Sequence, residues 1–342
     1  MRVGARQHPG LALSGLLVAV SLGGCSANES SRAGATPSTA TGEALEPASD
    51  PSRPSAAEVA AVQAHVEQLA GTIGVRSLDQ PGSLEAAADY VEAQWTAQGH
   101  AVTRRPYTVD GREVVNLEVS IPGRSPALVV VGAHYDSCDN PGADDNASGV
   151  GALLELSGRL RGLEPEHGIR LVAFANEEPP YFKDPATMGS SVYARELRAE
   201  GAEVVAMLSL ESVGYFRDEP GSQRYPAIIA ALYPDTGDFL AVVGKNRSRP
   251  LVRRVVDALE RHGGVPVESI AAPATITGID WSDHWSFWQA GWPAAVMITD
   301  TAVYRNPHYH QPTDTPDTLD YERLARVVNA LDGTVRELAA AR

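Results

Sequence analysis

Residues 127–161 read ALVVVGAHYDSCDNPGADDNASGVGALLELSGRLR, and their alternation sets the fold class. Ala127–Gly132 is a near-continuous apolar run, as expected of a strand buried on both faces. Ser148–Arg161 carries apolar residues at helical spacing. Between them lies a polar stretch with one histidine and several aspartates. The same alternation recurs downstream. Strands are expected at Ile169–Ala175, Val204–Leu210, Ile228–Leu232 and Ala294–Ile298. Helices are expected near Met188–Glu200, Pro250–His262 and Tyr321–Ala340. Buried strands separated by helices imply a mostly parallel sheet covered on both faces, a three-layer α/β/α arrangement. Upstream, a two-residue Asp110-Gly111 turn joins a strand through Tyr107–Val109 to one at Val114–Ile121, and this hairpin makes the sheet mixed. Two helices come first. Ser55-Ala56-Ala57-Glu58 is a capping box ahead of an amphipathic run to Ala70. Leu84, Ala88, Val91 and Trp95 share one face of the second helix, which Gly99 ends.

The chain has 342 residues, with 43 acids against 28 bases and a formal charge of -15. Such a chain lacks the basic surface that phosphate binding needs, which argues against nucleic acid as a partner. Two cysteines cannot build a disulfide scaffold or a thiolate zinc finger. The hydrophobic share of 43% supplies a full core, while the chain is too polar overall for many membrane spans.

Residues 1–24 have the layout of a targeting segment. Arg2 and Arg6 precede an apolar Leu11–Leu22 stretch too short to span a bilayer as a helix, and Leu22-Gly23-Gly24-Cys25 follows. Those last four residues resemble a bacterial lipobox, in which the chain is cut before the cysteine and the thiol carries diacylglycerol. This divides the chain into a lipoprotein signal peptide (1–24), a lipidated Cys25 with a disordered tether (25–54), and one folded domain (55–342). The tether is rich in Ser, Ala, Pro and Thr and has no apolar periodicity with which to offset its ordering entropy. The expected location is outside the cytoplasm, either anchored to a membrane surface as a lipoprotein or secreted.

Strand ends carry the chemistry. Ala127–Gly132 runs into Ala133-His134-Tyr135-Asp136, Ile169–Ala175 into Asn176-Glu177-Glu178, and Val204–Leu210 into Glu211. Asp144-Asp145 precedes a helix, and Tyr309-His310 comes late in the chain. Ligand sites in α/β sheets gather at the carboxyl ends of strands, so these groups should converge. Carboxylates packed without a cation repel one another and raise one another's pKa values, and a divalent metal removes that conflict. Nitrogen and oxygen donors without thiolate suit zinc, and also manganese or cobalt. The donors outnumber the needs of one catalytic zinc with an open position. They suit two Zn2+ ions sharing one carboxylate, with a bridging water.

Five segments in this order, GAHYDS (132–137), PGADDNASG (141–149), NEE (176–178), SLES (209–212) and YHQPTDT (309–315), resemble the co-catalytic di-zinc aminopeptidase family. That family includes secreted leucyl aminopeptidases and glutamate carboxypeptidases. WSDHWSFWQAGWPAAVM (281–297) is similar to a later segment of the family, and the resemblance spans roughly Ala127 to Tyr321. It implies a zinc-exopeptidase fold in which His134 and Glu211 bind a first zinc, Glu178 and His310 a second, and Asp145 bridges them. Glu177 matches the general base, and some relatives have a cis bond after the residue that Asp145 matches. Asp136 would orient His134 from behind, and Asp144 has no implied role. Glu211 is a methylene longer than the aspartate of many relatives. Tyr309 is either an oxyanion donor or a packed ring, and Asp283 belongs to the outer shell or the substrate site. Trp281, Trp285, Trp288 and Trp292 either line an apolar pocket or pack in the core, and Pro179-Pro180-Tyr181-Phe182 is either a pocket wall or ordinary loop. His284 and His308 are expected outside the ligand set, and Cys138 is expected to be an inert small residue.

The activity so implied is that of a metallo-exopeptidase, an aminopeptidase acting on peptides. Three rivals remain: a carboxypeptidase or dipeptidase of the same family, a glutaminyl-cyclase-like enzyme with one zinc, and a non-enzymatic ectodomain. The last predicts missing ligands, whereas every ligand position here is filled.

Overall fold

The computed structural model describes residues 53–341. The segments that concern the signal peptide, Cys25 and nearly all of the tether lie outside the described residues. Ser55 caps helix α1 (Ala56–Val66) through the expected reciprocal capping box with Glu58. Helix α2 (Ser83–Ala97) buries Leu84, Ala88, Val91 and Trp95. Strands β1 (Val102–Val109) and β2 (Arg112–Ile121) then form the hairpin. Asp110 and Gly111 both have positive φ, 51° and 76°, the conformation whose twist matches that of paired strands.

The rest alternates as the apolar runs demand. It comprises β3 (Ser125–His134), α3 (Gly149–Arg159), β4 (His167–Phe174), α4 (Gly189–Ala199) and β5 (Glu203–Glu211). There follow β6 (Leu240–Lys245), α5 (Arg249–His262), β7 (Val267–Ala272), α6 (His284–Gln289), β8 (Ala295–Thr299) and α7 (Tyr321–Ala340). Among the described residues the strands form one eight-stranded sheet in the order β1-β2-β4-β3-β5-β8-β6-β7. β4, β3, β5 and β8 are mutually parallel. β2 is antiparallel to β4, and β6 is antiparallel to β8 while β7 runs parallel to β6.

Both faces are covered. Val129 and Val131 of β3 pack in one core with Val62 of α1, Leu153 of α3, Val255 of α5 and Val328 of α7. Val130 points the other way, into a second core with Tyr193 of α4 and Phe287 of α6. This two-sided burial is the physical reason why the β3 run is apolar without alternation. Among the described residues no helix is long and apolar enough to cross a membrane.

One expected strand is absent and two others were not foreseen. Ile228–Leu232 is not a strand: Ala230–Leu232 is a single 3-10 turn, and Ile228 and Leu232 are 79% and 74% exposed. β-branched and aliphatic content alone does not make a strand when no neighbour is placed to pair with it. The sheet is instead extended by β6 and β7, six-residue strands whose apolar residues are interrupted by alanine, glycine, serine and glutamate.

Gly149 starts α3 against the sheet with no room for a side chain. A Cβ there would lie 2.3 Å from Asn146 Oδ1 and 2.9 Å from the Leu210 carbonyl oxygen. Gly149→Ala should destabilise the domain by about 1–3 kcal/mol through overpacking. Gly158, on the same helix, would place its Cβ in ordinary contact with the Gln98 side chain at 3.6 Å. Gly158→Ala should therefore be neutral or stabilising by up to about 1 kcal/mol. Thermal unfolding of the two variants tests this, and equal losses would contradict the packing argument.

Candidate metal centre

Strand ends and turns bring the separated residues together. His134 ends β3, Glu211 ends β5, Glu177 and Glu178 follow β4, Asp145 lies in the turn before α3, and His310 lies in the loop after β8. His134 Nε2 is 3.2 Å from Asp145 Oδ1 and 3.3 Å from Glu211 Oε2. His310 Nε2 is 3.2 Å from Asp145 Oδ2 and 3.1 Å from Glu178 Oε2. One oxygen of Asp145 thus faces each imidazole. Donor atoms of His134, Asp145 and Glu211 form one compact group, and those of Cys138, Glu178 and His310 form another. Glu177 belongs to neither, with Oε2 3.9 Å from His134 Nε2.

The atoms present fit a bound metal. His134 Nε2, Asp145 Oδ1, Glu178 Oε1 and His310 Nε2 are buried and make no hydrogen bond. Lone pairs aimed at common points and left unpaired in the interior are costly unless a cation satisfies them. Nitrogen and carboxylate donors are those zinc accepts.

Charge crowding shifts the titrations. Burial, reinforced by Asp145, pushes Glu178 up to about 8, and burial raises Glu211 as well. Burial together with Glu211, Glu178 and Asp283 raises Glu177 well above the usual carboxylate range, against the pull of His134. Asp145 is also buried, but its contacts with both imidazoles hold it far below its ordinary value. Burial opposes charge on His310, yet contacts with Asp145 and Glu178 raise it to about 10, and acids around His134 raise that group too.

A supporting layer fixes this arrangement. The Asp136 carboxylate lies 3.3 Å from His134 Nδ1 and accepts the backbone N–H groups of Glu177 (3.1 Å) and Glu178 (3.0 Å). It therefore positions three site residues, not only the histidine. Asp314 accepts the N–H groups of Asp144 and Asp145 at 3.0 and 3.2 Å. Asp144 faces away from the donor groups, accepting from Gly214 N and Asn306 Nδ2. Ser282 donates to Glu211 Oε2 at 2.8 Å. The Asp145–Asn146 peptide bond is cis. Asn176, Ser212 and His310 have φ near +50°, a strained conformation that such functional positions concentrate.

Arg76 is the residue sequence reading missed. It is fully buried and donates to the carbonyls of Leu69, Gly74, Tyr135, Pro141 and Gly142. Burial brings its pKa down to about 10, although Asp136, Asp314, Asp145 and Glu178 favour its charge. No spacing rule marks a lone arginine that binds only backbone. Asp314 was visible within YHQPTDT, but its partners are backbone groups that only the fold brings close.

The other expected residues are placed as follows. Tyr309 stacks on His310, with ring centroids 4.0 Å apart. Asp283 is buried with neither carboxylate oxygen hydrogen-bonded, and burial raises it to about 7. His284 Nε2 contacts the Ile279 carbonyl and the ring packs against Trp288, while burial lowers it to about 4. His308 contacts Thr313. Neither histidine joins the donor groups. Cys138, expected to be inert, lies with its sulfur among the Glu178 and His310 donors, and burial pushes it up to about 12.

An apolar pocket, open to solvent, adjoins Glu211 and Tyr309. Phe239, Ile270, Ile276, Ile279, Trp281 and Met297 are among its walls. Of the tryptophans, Trp281 lines this pocket, whereas Trp288 and Trp292 pack in the second core. Pro179–Phe182 is not part of the pocket lining.

Fold and donor set fit a hydrolase of the metallo-exopeptidase class. The model of Peptidase family M28 matches residues 116–334. The chain is 41% identical over 291 residues to the uncharacterized protein YfbL of Escherichia coli (strain K12), covering 82% of this chain and 88% of that one. It is 28% identical over 235 residues to the probable leucine aminopeptidase 1 of Trichophyton verrucosum (strain HKI 0517), covering 66% of this chain. It spans only 58% of that fungal protein. Solved structures share the fold, two of them as follows. LapB from Legionella pneumophila matches with a TM-score of 0.65 and 21% identity, over 83% of this chain and 72% of that one. The glutaminyl cyclase of Fimbriiglobus ruber matches with a TM-score of 0.61 and 20% identity, over 81% and 94%. The chain belongs to Peptidase family M28.

The shifted groups make a pH prediction. Glu178 (ordinarily about 4.5) and His310 (ordinarily about 6.5) hold protons more tightly in the metal-free fold than in the unfolded chain. Their stabilising contribution is complete below those ordinary values and is lost as pH rises through about 8 and about 10. Chelated protein should therefore lose thermal stability between about pH 5 and 9. Stabilisation by added zinc should grow over the same interval, because the metal displaces these protons. Calorimetric scans with and without chelator check this; a chelated midpoint that climbs from pH 6 to 8 would contradict it.

Proposed function

We propose that the chain is an aminopeptidase that binds two zinc ions and removes N-terminal residues from peptides. The observation that carries the proposal is the shared Asp145 carboxylate, one oxygen toward each donor group, with Glu177 close by and outside both. His134 and Glu211 would hold one ion, Glu178 and His310 the other, and Asp145 would bridge them. Zinc, when bound, supplies Lewis acidity toward the peptide carbonyl and makes water a stronger acid.

The chain's own residues do the rest. Glu177 accepts a proton from the attacking water at its carboxylate and passes it to the leaving amine. Asp136 keeps Glu177 and Glu178 in place through their N–H groups, so that two adjacent glutamates keep different tasks. Tyr309 offers its hydroxyl to the developing oxyanion.

Glu177→Gln should retain both metals and lose turnover by about 100-fold or more. His310→Ala should lose one metal. Zinc content measured by elemental analysis, together with hydrolysis of free and N-blocked dipeptides, tests the assignment. Full activity in the glutamine variant, or unchanged zinc in the alanine variant, would refute it. The shared fold of glutaminyl cyclases keeps a second reading in view. One zinc per chain and cyclisation of N-terminal glutamine would favour it.

For the location we propose the reading of residues 1–25: a protein outside the cytoplasm, anchored by lipid at Cys25 or else secreted. Cys25→Ser should move the protein from the membrane fraction to the soluble fraction, since an acyl chain contributes roughly 0.8 kcal/mol per buried methylene. A variant that stays membrane-bound after cell fractionation would rule the anchor out.

A further inference from the structure

β6 and β7 run opposite to β5 and β8, so they begin at the edge where β5 and β8 end. The register there forms one continuous row. Glu211 pairs with Thr299, Thr299 with Ala241, and Ala241 with Glu268. Residues paired across a ladder point to the same face, so Glu211 and Glu268 stand on one face with Thr299 and Ala241 between them. All four line the apolar pocket. Three ladder steps of roughly 4.8 Å place the two glutamate backbones about 14 Å apart. The floor between them consists of a threonine and an alanine, which leaves the way open.

Glu268 is the odd member of this lining. Among the described residues no hydrogen bond or ion pair involves its carboxylate. The two tyrosines stacked beside it are already committed, Tyr225 donating to the Pro234 carbonyl and Tyr233 to the Ser269 carbonyl. Arg305, which lies over the Phe239 ring, donates to Gln223 and to the Tyr215 carbonyl. Partial burial and the nearby Asp238 raise the pKa of Glu268, the mark of a carboxylate that lacks a cation.

We propose that Glu268 makes this pocket select peptides whose N-terminal residue is arginine or lysine. The alkyl stem lies along the Thr299–Ala241 floor between the apolar walls, and the cationic end meets Glu268. An extended arginine or lysine side chain reaches about 6–7 Å from its Cα. The side chains of Glu211 and Glu268 cover the remainder of the row. A leucine would fill the walls but leave the carboxylate desolvated and unpaired, which such pockets discriminate against. The proposal rests on the aminopeptidase reading above and names the substrates of that same site.

The test uses the zinc-loaded full chain with the 4-nitroanilides of arginine, lysine and leucine. The wild type should show kcat/KM at least about 10-fold higher for arginine than for leucine. Glu268→Gln should lower arginine and lysine turnover by about 10- to 100-fold and leucine turnover by less than about 3-fold. A wild type that prefers leucine, or a variant that loses all three substrates equally, overturns the proposal. Calorimetric binding of argininamide and leucinamide needs no turnover and separates the two readings. Tighter argininamide binding that Glu268→Gln abolishes supports the pocket assignment even if no nitroanilide is cleaved, an outcome that would sink the aminopeptidase reading instead. Equal binding of the two amides overturns the pocket assignment.

Discussion

Asp145 sits between two imidazoles with an oxygen turned to each, and the geometry around it answers to that one carboxylate. Around it the fold collects Glu177, Glu178, Glu211, Asp136 and Asp283 in a water-poor interior. Left alone, such a cluster repels itself and would take up protons. The chain relieves the strain in three ways. Two histidines face the bridging group. Backbone N–H groups of Asp144, Asp145, Glu177 and Glu178 are spent on the supporting carboxylates of Asp314 and Asp136. A buried arginine adds positive charge without touching a carboxylate directly. The remaining unpaired lone pairs are those a metal would take.

The parallel core of the fold was legible because double burial leaves its mark in composition. The β3 run has no polar alternation since Val130 and its neighbours Val129 and Val131 enter opposite cores. The hairpin was legible for a different reason, because an Asp-Gly pair tolerates two successive positive φ values. His134, Glu178, Glu211 and Asp145 were legible because they end or follow a strand or precede a helix, and strand ends on one edge must converge, whereas His310, in a loop, was legible only through the family resemblance.

What stayed hidden depends on register and on backbone partners. β6 and β7 are short and contain alanine, glycine, serine and a glutamate, so their strand character comes from pairing, β6 with β8 and β7 with β6, more than from propensity. Ile228–Leu232 is the converse, a favourable composition with no partner strand. Their reversed direction also concealed Glu268, since the rule that functional groups gather at carboxyl ends directs attention away from the start of a strand. The position of Cys138 was hidden as well, since only the folded loop brings its sulfur beside Glu178 and His310. Arg76 left no trace because its partners are carbonyl oxygens, which every residue has.

The arrangement of Arg76 links distant parts of the molecule. Its guanidinium joins the helical segment that ends at Gly74 to the loop that carries Tyr135, Pro141 and Gly142. Its own backbone exchanges hydrogen bonds with Ser137. Segments tied through one buried group open together or not at all, so they behave as a single cooperative unit. A change in the loop beside the donor groups would therefore reach the amino-terminal helical segment through Arg76. The firmness of the domain's leading end and the shape of the loop beside the donor groups thereby share one buried anchor.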